Sequence, residues 1–406
     1  MWNEFLSRRA LLAGAAQTAT LAALAACVGP GRRSASAAGP VSPFPLSSVR
    51  LRPSPFLTAV EANRRYLHSL DPDRLLHNFR LQAGLQPKGA VYGGWESETI
   101  AGHTLGHYLS ACALMHAQIG DAVCRERAHY IVDELAACQA AHGDGYVAGF
   151  TRRAQSGAIE PGRAVFDEIS RGDIRPSKFY LNGSWAPLYN WHKLFAGLLD
   201  ADLHCGVTKA ISVATGLAGY LERVFAPLDV AQVQAVLSCE HGGINESLAE
   251  LYARTGEKRW LALAERLYHR AVLDPLAERR DELAHLHANT QIPKLIGLAR
   301  LYQLTRRPAY ATASRFFWET VTANHTYVIG GHGDREYFQE PRSISRYITE
   351  QTCESCNTYN MMKLTRLLYQ DRPYAAYFDF YERCHFNHIL AQQRPSDGMF
   401  AYMVPL

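Results

Sequence analysis

The feature that most constrains this chain is an internal repeat. Leu251-Tyr252, Thr255 and Trp260 return fifty residues later as Leu301-Tyr302, Thr305 and Tyr310, and a looser copy follows with Leu368-Tyr369, Pro373 and Tyr377. Each copy reads as the end of one helix, a tight turn and the start of a partner helix. Helix pairs repeating at this period stack into an open solenoid or close into a toroid. In 406 residues about six such hairpins fit and seven do not. Apolar residues at helical spacing support the hairpins: Leu105, Tyr108, Leu109, Cys112, Met115 and Ile119 share one face. Strand signals are few.

Polar residues keep the same beat. His192, His241, His287 and Glu336 are separated by 49, 46 and 49 residues. Each histidine stands at or near the start of a helix that then turns apolar. A solenoid would string them along a ridge, whereas a closed ring gathers them at one mouth. Buried polar groups need partners, so the ring is the better explanation. The expected fold is therefore all-α, an (α/α)6 barrel over residues 56–390. An arm over 38–55, rich in Pro and Ser, precedes it, and a strand region begins at 391–406.

Residues 1–37 read as an export segment and stay outside the fold argument. Ser7-Arg8-Arg9-Ala10-Leu11-Leu12 is a twin-arginine pattern, followed by a 17-residue Ala/Leu run ending at Ala26. That run is short for a membrane span. Two exits are open: cleavage after Ala35-Ser36-Ala37, or a lipobox, Leu24-Ala25-Ala26-Cys27, that leaves Cys27 lipidated. The expected location is periplasmic, secreted or lipid-anchored. This segment holds four arginines against Glu4, so without it the formal charge falls from +4 to +1. A near-neutral body has no electrostatic footprint for nucleic acid. The nine cysteines show no disulfide spacing, and most sit in apolar helical patterns as small hydrophobes.

Several segments carry chemistry. In Gly102-His103-Thr104-Leu105-Gly106-His107 the two histidines share a helix face; His103 reads as a pocket residue rather than half of a metal pair, because no glutamate follows it. Asp144-Gly145-Tyr146 offers an aromatic ring for a sugar face, though alone it is a turn with a tyrosine. Asn190-Trp191-His192-Lys193, Glu240-His241-Gly242-Gly243-Ile244-Asn245-Glu246 and His287 through Lys294 each open a helix. Gly330-Gly331-His332-Gly333-Asp334-Arg335-Glu336-Tyr337-Phe338 is a glycine-rich loop that sets a carboxyl between aromatic rings. Partial desolvation there would favour the protonated form and a general acid, although this window alone reads as a solvated loop glutamate. Cys353-Glu354-Ser355-Cys356 leads into a helix and offers ligands that suit zinc. No second cysteine pair follows, so this is not a zinc ribbon.

Taken in order, these segments resemble glycoside hydrolase family 127, the β-L-arabinofuranosidase family, from about Val49 onward. The resemblance implies an (α/α)6 barrel followed by β-sandwich modules, and a retaining exo-hydrolase that removes terminal furanosyl sugars from glycans. It implies that Glu336 is the acid/base and that Glu354 and Cys356 are two ligands of a zinc ion. His192, His241 and His287 would line the sugar pocket; His103 and Tyr146, read from their own segments, are further candidate sugar contacts. It also puts the remaining two ligands, one of them the nucleophile, on adjacent cysteines. No adjacent cysteines occur in the 406 residues. The expectation is thus a chain cut short of its nucleophile and β-modules, whose pocket forms without the full chemistry; Cys353 is the alternative ligand. Two other readings stand beside it: a non-catalytic carbohydrate-binding member of the fold, and a toroid epimerase or lyase.

Overall fold

The computed structural model describes residues 41–239 and 242–406. The export segment with Cys27, and His241, lie outside the described residues. No described helix is long and apolar enough to cross a membrane.

The hairpins form as the repeat requires. Helix α1 (Pro55–Ser69) starts with Pro55 in its first turn and Ser54 as cap, the Ser54 hydroxyl accepting from the Leu57 amide. Then come α2 (His103–Ile119) with α3 (Ala122–His142), α4 (Pro187–Cys205) with α5 (Lys209–Phe225), and α6 (Ile244–Thr255) with α7 (Lys258–Arg266). Next are α8 (Ala288–Thr305) with α9 (Pro308–Thr320), and α10 (Ser355–Asp371) with α11 (Ala375–Cys384). The echo seen in the sequence marks equivalent places. Thr255 and Thr305 each return their hydroxyl to the carbonyl four residues back, on Leu251 and Leu301. Both helices then end in a left-handed residue, Gly256 and Arg306. Trp260, Tyr310 and Tyr377, at the start of the partner helices, are all buried.

Burial separates an inner ring from an outer one. Helices α4 and α8 bury residues on every side, Leu194, Phe195, Leu198 and Leu199 in one and Ile292, Leu295, Ile296 and Leu298 in the other. Such all-round burial belongs to a helix enclosed by neighbours. Outer α7, by contrast, buries one stripe, Trp260, Leu263 and Ala264. Consecutive inner helices α2, α4, α6, α8 and α10 touch one another in order. The ring closes where Phe56 of α1 stacks on His385, just past α11, at 5.5 Å. Gln393 also donates to the Ala59 carbonyl at 3.2 Å. The molecule is thus 61% helix in an all-α toroid, as the sequence predicts.

Its few strands are two or three residues long. Strands β1 (Thr151–Arg153) and β2 (Ile159–Pro161) form a hairpin, and β3 (Pro176–Ser177), β4 (Tyr180–Leu181) and β5 (Ser184–Trp185) form a small antiparallel sheet. In place of a strand, residues 391–406 make isolated bridges, Gln393 to Phe400 and Glu354 to Met403. The second of these brings Tyr402 back over the start of α10.

Candidate active site

The inner helices all begin at the same mouth, where the described polar residues of the repeat, His192, His287 and Glu336, are found. His287 caps α8: its Nδ1 accepts from the Thr290 amide at 3.4 Å. That bond places the ring proton on Nε2, which donates to Glu336 Oε2 at 3.3 Å. Glu336 is carried by a loop that docks beside the residues leading into α8. The Ala288 amide donates to the Glu336 carbonyl at 2.8 Å, and the Phe338 amide to the Leu286 carbonyl at 3.0 Å. Arg335 and Glu336 both hold positive φ, +49° and +73°. Two consecutive left-handed side-chain-bearing residues are strained, and such strain persists where neighbours over-determine the backbone.

Glu354 precedes α10 and is almost wholly buried, with Oε2 lacking any hydrogen-bond partner. Its other oxygen accepts from the Tyr402 hydroxyl at 3.0 Å, and the same hydroxyl lies 2.6 Å from Glu336 Oε1. One tyrosine therefore ties the two carboxyls together. Ligand atoms of His287, Glu336 and Glu354 all lie within 4.8 Å of one another. The Cys356 thiol, two residues on, lies beside the Glu354 carboxyl. Burial, then the charge of Glu336, pushes the Glu354 carboxyl up to about 7. Burial, reinforced by Glu354, pushes the Cys356 thiol far up.

Glu336 departs from expectation. The aromatic neighbours were expected to raise its carboxyl, but the His287 hydrogen bond outweighs desolvation and holds it below the ordinary range. The carboxyl whose titration is moved toward neutrality is Glu354. Tyr337 does sit beside the site, its ring 5.4 Å from His287.

Below the mouth lies a polar well. Glu246 of α6 is held by the Lys363 ammonium at 3.0 Å and by His192 Nε2 at 3.3 Å. Burial alone would raise Glu246, yet the charge of Lys363 and the His192 bond hold it far below the carboxylate range. His192 is itself pulled down to about 4, first by burial and then by the charge of Lys193. Lys193 falls to about 8 through burial and the nearby Lys363. His107 faces the same well and meets the Tyr189 hydroxyl at 3.1 Å. These groups are enclosed by the barrel, yet His107, Tyr189, Lys193 and Lys363 keep accessible surface. That combination marks a hollow rather than packed core.

Of the residues singled out in the sequence, His287, Glu336, Glu354 and Cys356 are brought together, and His192 stands in the well. His103 joins the wall, 5.7 Å from Tyr189, with its Nδ1 on the Ile100 carbonyl at 3.0 Å. Tyr146 is a correction: it is fully buried between His142, Trp191 and Tyr220, so its ring has no free face for a sugar. Gly330 and Gly331 press against Cys384, Cys353 and His388, protein rather than ligand. Cys353 is thereby placed behind that loop, and burial pushes its thiol up to about 12. Tyr402, Glu246, Lys193, Lys363, Tyr189 and His107 were missed as site residues. Lys193 adjoins His192, Glu246 ends the segment that holds His241, and His107 is one turn from His103. Tyr402 gives no signal, being a lone tyrosine in an irregular segment.

A family profile described as the GH127 catalytic domain of β-L-arabinofuranosidase matches residues 48–406. Among solved structures, a GH127 β-arabinofuranosidase is similar with a TM-score of 0.66 at 18% identity, covering 91% of this chain and 58% of that one. A GH127 β-L-arabinofuranosidase from Geobacillus stearothermophilus T6 gives 0.63 at 17% identity, covering 87% and 57%. A protein described as a glycoside hydrolase gives 0.55 at 15%, covering 82% and 51%. At such identities the likeness is one of fold. The chain spans less than two thirds of the length of each of these structures. No curated protein matches the chain.

Proposed function

Because the chain belongs to the GH127 β-L-arabinofuranosidase family, we propose that its hollow binds the terminal furanosyl sugar of a glycan and that Glu336 is the acid/base for its release. The family supports a glycoside hydrolase with an oligosaccharide substrate. The observation that carries the reading is the pairing of Glu336 with Glu354 through one tyrosine at the mouth of a polar well.

The chain's own residues divide the work. Lys193, Lys363, Glu246 and His192 present donors and acceptors to the hydroxyls of a bound sugar. His287 and Tyr402 orient the two oxygens of Glu336, so that its carboxyl faces the bond to the leaving group. Ring burial at the mouth displaces water and raises Glu336 toward its protonated form. In a retaining mechanism Glu336 would donate a proton to the departing oxygen while a nucleophile bonds to the anomeric carbon, and would then take a proton from the water that displaces that nucleophile.

The donor set fits a zinc ion. Glu354 offers a buried oxygen without a partner, and Cys356 a thiol beside that carboxyl. Bound there, zinc supplies the positive charge that keeps a thiol ionised at neutral pH. The resemblance assigns the nucleophile to adjacent cysteines, which the 406 residues lack. A second reading, carried with the same fold, is a chain that binds the sugar without turning it over.

Incubation with an aryl β-L-arabinofuranoside after zinc loading separates the two. Release of the aryl group, reduced about 100-fold or more in Glu336→Gln, supports the hydrolase. Binding without release supports the second reading, and neither binding nor release removes both. Elemental analysis of the same preparations should show less zinc in Cys356→Ser; equal zinc in both would remove the metal assignment.

A further inference from the structure

The well takes one terminal sugar, so the rest of a glycan must leave through the mouth, and the mouth is rimmed on one side by aromatic rings. The small sheet β3–β5 supplies Phe179, Tyr180 and Trp185, and the turn before α2 supplies Trp95. Phe179 lies 5.1 Å from His287. Its neighbour Tyr180 stacks with Trp185 at 6.2 Å, and Trp185 meets Trp95 edge-on at 6.0 Å. Trp95 then reaches His103 at 5.7 Å, and His103 reaches Tyr189 at 5.7 Å. The Tyr189 hydroxyl in turn meets His107 of the well at 3.1 Å. The arc thus runs from His287 at the carboxyl site to Tyr189 in the well, with its middle facing out: Trp95 is 55% and Tyr180 42% exposed.

Core packing does not account for it. Isolated exposed aromatics are ordinary, but neighbouring rings joined at contact distance form a patch that calls for an occupant. The backbone beneath is also strained. Phe179 holds φ at +64°, unusual for a bulky residue. Its amide donates to the Cys239 carbonyl at 3.2 Å, and its carbonyl accepts from Ala186 at 2.8 Å. Strain maintained in a loop beside a site marks a positioned side chain.

We propose that this arc is a binding platform for the glycan beyond the scissile bond, taking neutral sugar rings by stacking their C–H faces on Trp95, Trp185 and Tyr180. The inference rests on the sugar-pocket reading for its direction: terminal sugar in the well, remainder across the arc. Aromatic faces suit it because a sugar ring offers an apolar face with hydroxyls at its edge, and stacking tolerates variation in linkage.

The test uses the 406-residue chain and two probes, methyl β-L-arabinofuranoside and a linear arabinofuranosyl trisaccharide, titrated by tryptophan fluorescence and calorimetry. The trisaccharide should bind about tenfold more tightly than the single sugar, with a shift in emission from exposed tryptophan. Trp95→Ala should shrink that advantage to about threefold or less and lose most of the emission shift. Tyr180→Ala, at a second exposed position, should shrink it as well. An advantage unchanged in both variants overturns the platform, as does a trisaccharide that fails to bind. Trisaccharide binding that weakens in Trp95→Ala while the single sugar never binds keeps the platform and removes the furanose pocket.

Discussion

At the scale of residues the site is a balance between burial and charge. Glu246 shows it most simply: burial opposes its ionisation, but Lys363 and His192 hold it ionised. A carboxyl depressed in the folded chain contributes stability that is complete above its unfolded value, near 4.5, and is lost as pH falls below it. Wild-type thermal stability should therefore drop as pH falls from about 5 toward 2, and the drop should be smaller in Glu246→Gln. At pH 7 that variant should be about 1–3 kcal/mol less stable, because Lys363 loses its partner. Parallel acid limbs in the two proteins would show that Glu246 is not the group responsible. Much of this was legible residue by residue. His287, Glu336, Glu354 and Cys356 each stand in a segment whose composition announces chemistry. The ionisation of Glu336 was not, because it depends on the tautomer of His287, fixed by an amide three residues into another element. Tyr146 failed for a related reason. An aromatic residue in a glycine-rich turn looks exposed, and only the packing of Trp191 and Tyr220 against it reveals otherwise.

Among the elements, the tightest crossing is between α2 and α4. A Cβ on Gly106 would lie 2.3 Å from the carbonyl carbon and oxygen of Lys193, and one on Gly197 would lie 2.6 Å from the Gly106 carbonyl. The two backbones touch there, which sets His107 and Tyr189 face to face in the well. Because backbone cannot yield as a side chain can, Gly106→Ala should destabilise the fold by about 2–3 kcal/mol. Chemical denaturation would measure it, and a loss under about 0.5 kcal/mol would show the crossing to be looser than described. The sequence offered Gly106 as one of several small residues in a helix; that it marks a crossing depends on a partner some ninety residues away. By contrast, the hairpin ends were readable, because Leu251-Tyr252-Thr255 and its copies carry their own caps and turns.

For the whole molecule, the ring itself is what the spacing of His192, His287 and Glu336 foretold, and the contact of Phe56 with His385 completes it. The aromatic arc was not foreseen, since Trp95 and Trp185 lie ninety residues apart and neither belongs to the repeat. The toroid gives these scattered residues one address. The most direct measurement is calorimetric titration of methyl β-L-arabinofuranoside into wild type, His287→Ala and Lys363→Met, whose side chains come from different hairpins. The account predicts one site per chain, weakened about tenfold or more by either change. Affinity untouched by both substitutions would contradict a shared hollow at the mouth of the ring.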